Sequence, residues 1–378
     1  MQLKLAVLAA AACLWSVAEG ASAQDLPSTV TTPYLEYQRA LEDGDGAAAL
    51  DAARRALEAG ETEGIDRETL GLLAENYGES AAEQDDFERA FQIWRQAARL
   101  GDQAGIAPVD QAWREFNAAQ AAYHGGQIRD AARFAYNALR NLERAREADG
   151  ASPVFFGGVA ALAARLSAER GRWEEAREKA DIALQAFYEG RRMPDADFAL
   201  AHYIAGLSRQ VAREPVEAVY HHMMAQFMLS EIPDGERRDW MMSALGQNGW
   251  FSSENQREAA IERIGSDPYY LARYAGQGNP SEPQQPPGFT DASVLERHEP
   301  RYPVRAVERG QRGFSAVAFD IDENGNIVDP RVIEDLPAGA FGDAALRVLD
   351  DWRFEPAMQD GEPVRRENYV VSFSFWLG

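Results

Sequence analysis

Alanines seven residues apart recur along the N-terminal part of this chain: Ala49 and Ala56, Ala90 and Ala97, Ala131 and Ala138, Ala176 and Ala183, Ala218 and Ala225. Successive pairs stand 41 to 45 residues apart. Each pair lies on a segment with helical periodicity, such as FERAFQIWRQAARL or WEEAREKADIALQAF, and each is preceded by another helical run and a short polar break such as HGGQIRD. Small residues two turns apart on one helical face let a neighbouring helix approach closely. Twelve residues before the first alanine of each later pair comes another small residue: Gly78, Ala119, Ala164 and Gly206. A single helix pair cannot bury its apolar stripe, whereas stacked pairs can. The pattern predicts an all-α solenoid over residues 33–275, with the stretch 231–275, including DWMMSALGQNGWF and DPYYLARYA, adding helices that cap it.

The small-residue offsets resemble those of the tetratricopeptide repeat (TPR), although the period here exceeds the usual length of about 34 residues. The resemblance implies a groove that binds a peptide or protein. His202, His221 and His222 also fall in this region. Adjacent histidines on a helix point about 100° apart, so the expectation is a satisfied or solvated pair rather than a metal site. A net charge of -23 and a pI near 4.7 disfavour nucleic acid, whose phosphates require a basic face for counterion release.

The N-terminus, MQLKLAVLAAAACLWSVAEGASAQ, combines Lys4, a short apolar run and a small-residue close at Ala21-Ser22-Ala23. It reads as a secretory signal over residues 1–23, cleaved between Ala23 and Gln24. The alternatives are lipidation at Cys13, the chain's single cysteine, and a retained inner-membrane anchor. Cleavage would leave a mature chain without a thiol.

Residues 276–292, beginning GQGNPSEPQQPPG, are rich in proline, glycine and glutamine and read as a linker. A small domain follows over 293–378. Its expected elements are strand GFSAVAFDID, turn ENG, strand NIVDPRVIE, helix AFGDAALRVLDDW and a last strand NYVVSFSFWL. Phe341, Ala345, Val348, Leu349 and Trp352 form one helical stripe, and Tyr369, Val371, Phe373, Phe375 and Leu377 alternate onto one strand face. The fold class is therefore multidomain: an N-terminal all-α solenoid and a C-terminal small α+β domain, in which one helix packs on a three-stranded antiparallel sheet. Asp320, Asp322, Asn324 and Gly325 match the first half of an EF-hand loop, but Arg331 holds the place of the required twelfth-position glutamate. The alternative is a type I′ hairpin turn at Asn324-Gly325.

Residues 302–306 (YPVRA), the strand and hairpin GFSAVAFDIDENG, the helix with Ala344 and Ala345, the WRFEPA run from Trp352 to Ala357, the DGEPV turn and the closing FSFWL together resemble the C-terminal domain of the TonB family. That resemblance makes ENG a turn without metal. It implies capture of an extended receptor peptide by pairing with an edge strand, with Arg301, Tyr302 and Pro303 near the peptide's end and the last strand as the edge: Asn368, Tyr369, Val370, Val371, Ser372, Phe373, Ser374 and Phe375. For Tyr302 and Pro303 the alternative is fold-stabilising packing. The chain departs from a transducing TonB in lacking a histidine in its N-terminal apolar run and in carrying helices where that family has a proline-rich spacer.

No HExxH, GxSxG, P-loop or GxGxxG motif occurs. The expectation is a non-catalytic protein of a Gram-negative periplasm, without a cofactor. It would bind an outer-membrane TonB-dependent receptor or another envelope protein, and a peptide in the solenoid, and its C-terminal domain could form a homodimer. The alternative is a transducer of the TonB type with an uncleaved anchor.

Overall fold

The computed structural model describes residues 26–147, 151–190, 195–230, 253–267 and 287–376. The segment expected to be a secretory signal, with Cys13, Ala23 and Gln24, and most of the expected capping stretch and linker lie outside the described residues. The chain divides into two compact units at Ala163/Ala164.

The first unit is built from α1 (Ser28–Glu42), α2 (Gly46–Glu63), α3 (Arg67–Glu83), α4 (Phe87–Ala104), α5 (Pro108–His124), α6 (Ile128–Glu147) and the start of α7 (Pro153–Glu169). Helix thus begins at Ser28 rather than at residue 33. From α1 to α6 each helix packs on the next. The breaks are set locally: Asp45, Asp66 and Asp86 accept hydrogen bonds from the amides of Ala48, Thr69 and Arg89, and α2 and α4 end on the left-handed glycines Gly64 and Gly105. The repeating alanines of α2, α4 and α6 are all buried. Gly78 shows why small residues are needed, because a Cβ there would lie 2.8 Å from the Trp94 indole nitrogen.

The second unit holds the end of α7, α8 (Trp173–Glu189), α9 (Ala196–Val211), α10 (Pro215–Ser230) and α11 (Glu254–Ile264). α11 falls within the expected capping stretch and starts on a Ser253/Gln256 capping box. The alanine pairs of α8 and α10 are buried. His202 and His221 are buried rather than solvated, with their Nδ1 atoms 2.9 Å apart, and the Tyr188 hydroxyl lies 3.3 Å from His202 Nε2. Burial depresses the His202 pKa to about 3, so the pair is held neutral.

The small domain belongs to this second unit. Its elements are β1 (Phe289–Thr290), β2 (Ser293–Glu296), α12 (Val304–Glu308), β3 (Gly313–Ile321), β4 (Ile327–Leu336), α13 (Gly342–Val348) with a following single 3-10 turn, β5 (Arg353–Glu355), β6 (Ala357–Gln359), β7 (Glu362–Val364) and β8 (Arg366–Phe375). The main sheet is antiparallel in the order β4-β3-β8. Its core face carries Val317, Phe319, Ile321, Tyr369, Val371, Phe373 and Phe375 against Phe341, Ala345, Val348, Leu349 and Trp352; Leu377 lies outside the described residues. Within WRFEPA, Trp352, Phe354 and Ala357 are buried and Arg353 and Glu355 are exposed, as a strand's alternation requires. Residues 289–292, placed in the linker by composition, are part of this domain. β1 pairs with β6, Asp291 holds Arg366 at 2.7 Å, and Ala292 enters the core.

The β3–β4 connection is a turn, but not of type I′, which needs positive φ at both central residues. Gly325 has φ 82° and Asn324 is not left-handed. Asp322 instead organises the loop, with Oδ1 accepting from the amides of Asn324 and Asn326 at 2.9 and 2.8 Å. A Cβ on Gly325 would strike the Phe354 carbonyl at 2.0 Å.

The close helix contacts carry a test. A Cβ at Gly206 would lie 2.1 Å from His222 Cδ2. Alanine favours helix over glycine by about 1 kcal/mol, yet Gly206→Ala is expected to destabilise by about 1–3 kcal/mol through overpacking, read as a lower urea midpoint at unchanged slope.

Candidate functional site

The two edges of the main sheet differ. β4 is interrupted: Pro330 lacks an amide, Asp329 has φ 52°, and the register against β3 shifts twice. β8 pairs with β3 in unbroken register from Tyr369 opposite Phe319 to Phe375 opposite Gly313. Regular, bulge-free backbone is what an added strand requires, and proline and bulges are what blunt an edge.

Asn368, expected as the start of the pairing edge, stands in a bulge with φ 52°. Its amide donates to Asp320 Oδ1 at 2.9 Å, and its side-chain oxygen accepts from Arg331. The regular edge is therefore Tyr369 to Phe375. Arg365 donates to the other oxygen of Asp320 at 2.7 Å, and these bonds hold the Asp320 carboxyl below the usual range, that from Asn368 most strongly. Among the described residues no cluster of metal-ligating side chains occurs.

The structure brings Tyr302 to the end of β8. Its ring meets Phe341 and Phe375 edge-on at 5.8 and 5.7 Å, and its hydroxyl donates to the Gln311 carbonyl. Desolvation raises its pKa, with Arg312 opposing. Pro303 caps the start of α12, and Arg301 is exposed. Packing accounts for Tyr302 and Pro303 here, and both also border the strand's end.

Val370, Ser372 and Ser374 point to the opposite side of the sheet from the core, where an isolated small domain would meet water. Val370 and Ser372 are buried there, as are Phe314, Ala316 and Ala318 of β3 and Glu334 and Leu336 of β4. This second face lies on α7, α8 and α9. Arg165 of α7 holds Glu334 through two bonds of 2.7 and 2.9 Å and also Glu169 at 2.6 Å. The Tyr203 hydroxyl of α9 reaches Glu334 at 3.5 Å. Trp173 of α8 donates its indole N–H to the Arg312 carbonyl at 2.8 Å, and Gln210 of α9 donates to Ser374 Oγ at 2.9 Å. Burial pushes the Glu334 pKa up, and Arg165 opposes the rise. Of these residues, Arg165, Glu169, Trp173, Tyr203, Gln210 and Glu334 have no mark in the sequence. The available signal was β3 itself, since Phe314, Ala316 and Ala318 are apolar on the face that one-sided packing leaves polar.

Residues 298–377 match the family described as the Gram-negative bacterial TonB protein C-terminal. Protein TonB of Yersinia enterocolitica is 34% identical over 89 residues, which is 24% of this chain and 32% of that protein. Protein TonB of Pseudomonas aeruginosa is 34% identical over 104 residues, covering 26% and 30%. This chain thus spans about a third of the relatives' own length, and the likeness lies in its C-terminal domain. Among solved structures, the apo form of RapI is 12% identical with a TM-score of 0.49, covering 63% of this chain and 83% of that one. MamA protein is 13% identical with a TM-score of 0.42, covering 56% and 100%. At these scores the TPR-like reading rests on the helix pairs themselves.

Two outcomes follow from the buried contacts. Glu334→Ala removes one of the two carboxylates on the buried Arg165 guanidinium and is expected to cost about 1.5–3 kcal/mol, whereas Arg165→Met combined with Glu169→Leu and Glu334→Leu, which removes the whole charged cluster, is expected near neutral; denaturant unfolding of the single and triple variants checks the difference. Asp335 is raised to about 6, chiefly by burial, so its contribution to stability is present near pH 4 and is lost as pH rises through 6. The melting temperature of wild type relative to Asp335→Asn should accordingly fall between pH 4 and pH 7.

Proposed function

We propose that this chain is a non-catalytic, exported protein of a Gram-negative envelope that binds partner proteins at two places and serves TonB-dependent outer-membrane transport. At the first, an extended peptide adds to the sheet along β8 from Tyr369 to Phe375, its end lying by Arg301, Tyr302 and Pro303. At the second, a partner segment lies on the TPR-like helices. The observation that carries the first site is the asymmetry of the sheet: β8 offers seven consecutive regularly paired residues, and β4 is broken by Pro330 and two register shifts. Backbone pairing of this kind takes affinity from main-chain hydrogen bonds and specificity from alternate side chains. The TonB-type sequence of residues 298–377 supports a receptor-derived peptide as the ligand, and none of the described helices is long and apolar enough to cross a membrane.

Removing β8 would strip Tyr369, Val371, Phe373 and Phe375 from the core, so the clean test alters the peptide. In an added antiparallel strand only alternate residues direct their N–H and C=O groups at the neighbour. A receptor N-terminal peptide carrying N-methyl groups at one parity should lose at least tenfold in affinity for the full chain by calorimetry, and the peptide methylated at the other parity should bind normally. Equal affinity for both would rule out pairing at the edge.

A further inference from the structure

Between α3, α4 and α5 lies a recess of about 430 Å³, counted to its open mouth, walled by Phe87, Trp94 and Trp113. Much of that volume is open solvent, and the recess itself has room for about one water-sized group. Three oxygen-bearing side chains border it: Glu79 of α3 and Asn117 and Gln120 of α5. Gln120 is only 8% exposed and makes no hydrogen bond among the described residues. Gln120 lines the open recess, so its amide is available to whatever enters. Asn117 donates its amide N–H to the Trp113 carbonyl at 2.9 Å, which leaves its side-chain oxygen as an acceptor.

The electrostatics point the same way. Glu79 and Glu83, one turn apart, have no ion pair among the described residues, in contrast to Glu75, which Arg114 holds at 2.6 Å. Desolvation and the Glu83 charge both disfavour the Glu79 anion, a cost that an incoming cation would relieve. The titratable neighbour on the far wall is His124, stacked on Phe87 at 4.7 Å.

We propose that this recess binds the ε-ammonium of a lysine on a partner protein. An ammonium is about the size of a water molecule, carries three donors and no acceptor, and is attracted to aromatic faces. Glu79, Asn117 and Gln120 supply three acceptors, and the two tryptophans and Phe87 supply the walls. Guanidinium is planar and larger, and fits a space of that size poorly. The lysine is assigned to another protein, since of this chain's two lysines Lys179 bonds Glu178 at 3.1 Å and Lys4 falls in the segment expected to be cleaved as a secretory signal. The inference rests on the reading that a partner segment lies on these helices, and is independent of peptide pairing on β8.

The test is the full chain with ¹⁵N-labelled indoles, titrated with an acetylated heptapeptide of glycine and serine carrying one central lysine. The Trp94 and Trp113 indole signals should shift saturably, and Glu79→Gln should weaken binding at least tenfold. Norleucine in place of lysine should abolish the shift, and arginine should weaken it. No shift at about 10 mM, ten times a millimolar Kd, or an equal response to the norleucine peptide would overturn the site. If n-butylammonium binds as tightly as the peptide, the recess takes small amines and the protein partner is overturned. A partner segment that still shifts other α3 and α5 signals in Glu79→Gln, with unchanged affinity, would keep the groove and remove the lysine.

Discussion

The arrangement of the second unit depends on one buried guanidinium. Arg165 lies at the end of α7 with two carboxylates on it, Glu169 from its own helix and Glu334 from the sheet. A charge taken out of water on this scale is tolerated only when it is paired and its donors are used. Replacing Arg165 alone takes the shared cation from both buried carboxylates, whereas apolar side chains of similar size at all three positions would hold the same surfaces together less selectively. The pair therefore specifies where the sheet sits on the helices more than it strengthens the contact. The direct bonds from Trp173 and Gln210 follow from that placement.

Periodicity made the helices and the small domain legible, and its failures are equally physical. The alanine and glycine positions could be read because close helix approach has no other chemical solution, as the Gly78 and Gly206 contacts demonstrate. The core face of β8 could be read because Tyr369, Val371, Phe373 and Phe375 alternate with smaller or polar neighbours. What escaped notice was the opposite face. Ser372 and Ser374 look like solvent-facing residues, and Glu334 looks like a surface acid, until helices distant in sequence cover them. Burial of a polar residue by a partner remote in the chain leaves no local periodic trace. The linker boundary was misjudged for a related reason, because Phe289 and Thr290 form a strand too short to show alternation.

The candidate peptide edge was legible only through its family resemblance, and the structure refines it. Asn368 is committed to the bulge held by Asp320, an arrangement that also uses one of the carboxylates resembling a calcium loop. The second such carboxylate, Asp322, is spent on loop amides. Polar side chains that look like ligands in a sequence are thus serving the backbone. The recess beside Trp94 and Trp113 is the converse case, since Gln120 makes no hydrogen bond and Glu79 no ion pair among the described residues.

Pro330 and the bulges of β4 have a consequence for assembly. A sheet with two competent edges can join copies head to tail without limit, as in fibres, because each new copy presents the edge that the next one needs. Here the β4 edge cannot play that part, so sheet extension through β8 ends after a single event, whether the added strand is a foreign peptide or the β8 of a second copy related by a twofold axis. With β8 pairing as proposed, this chain is in this way kept from polymerising with itself.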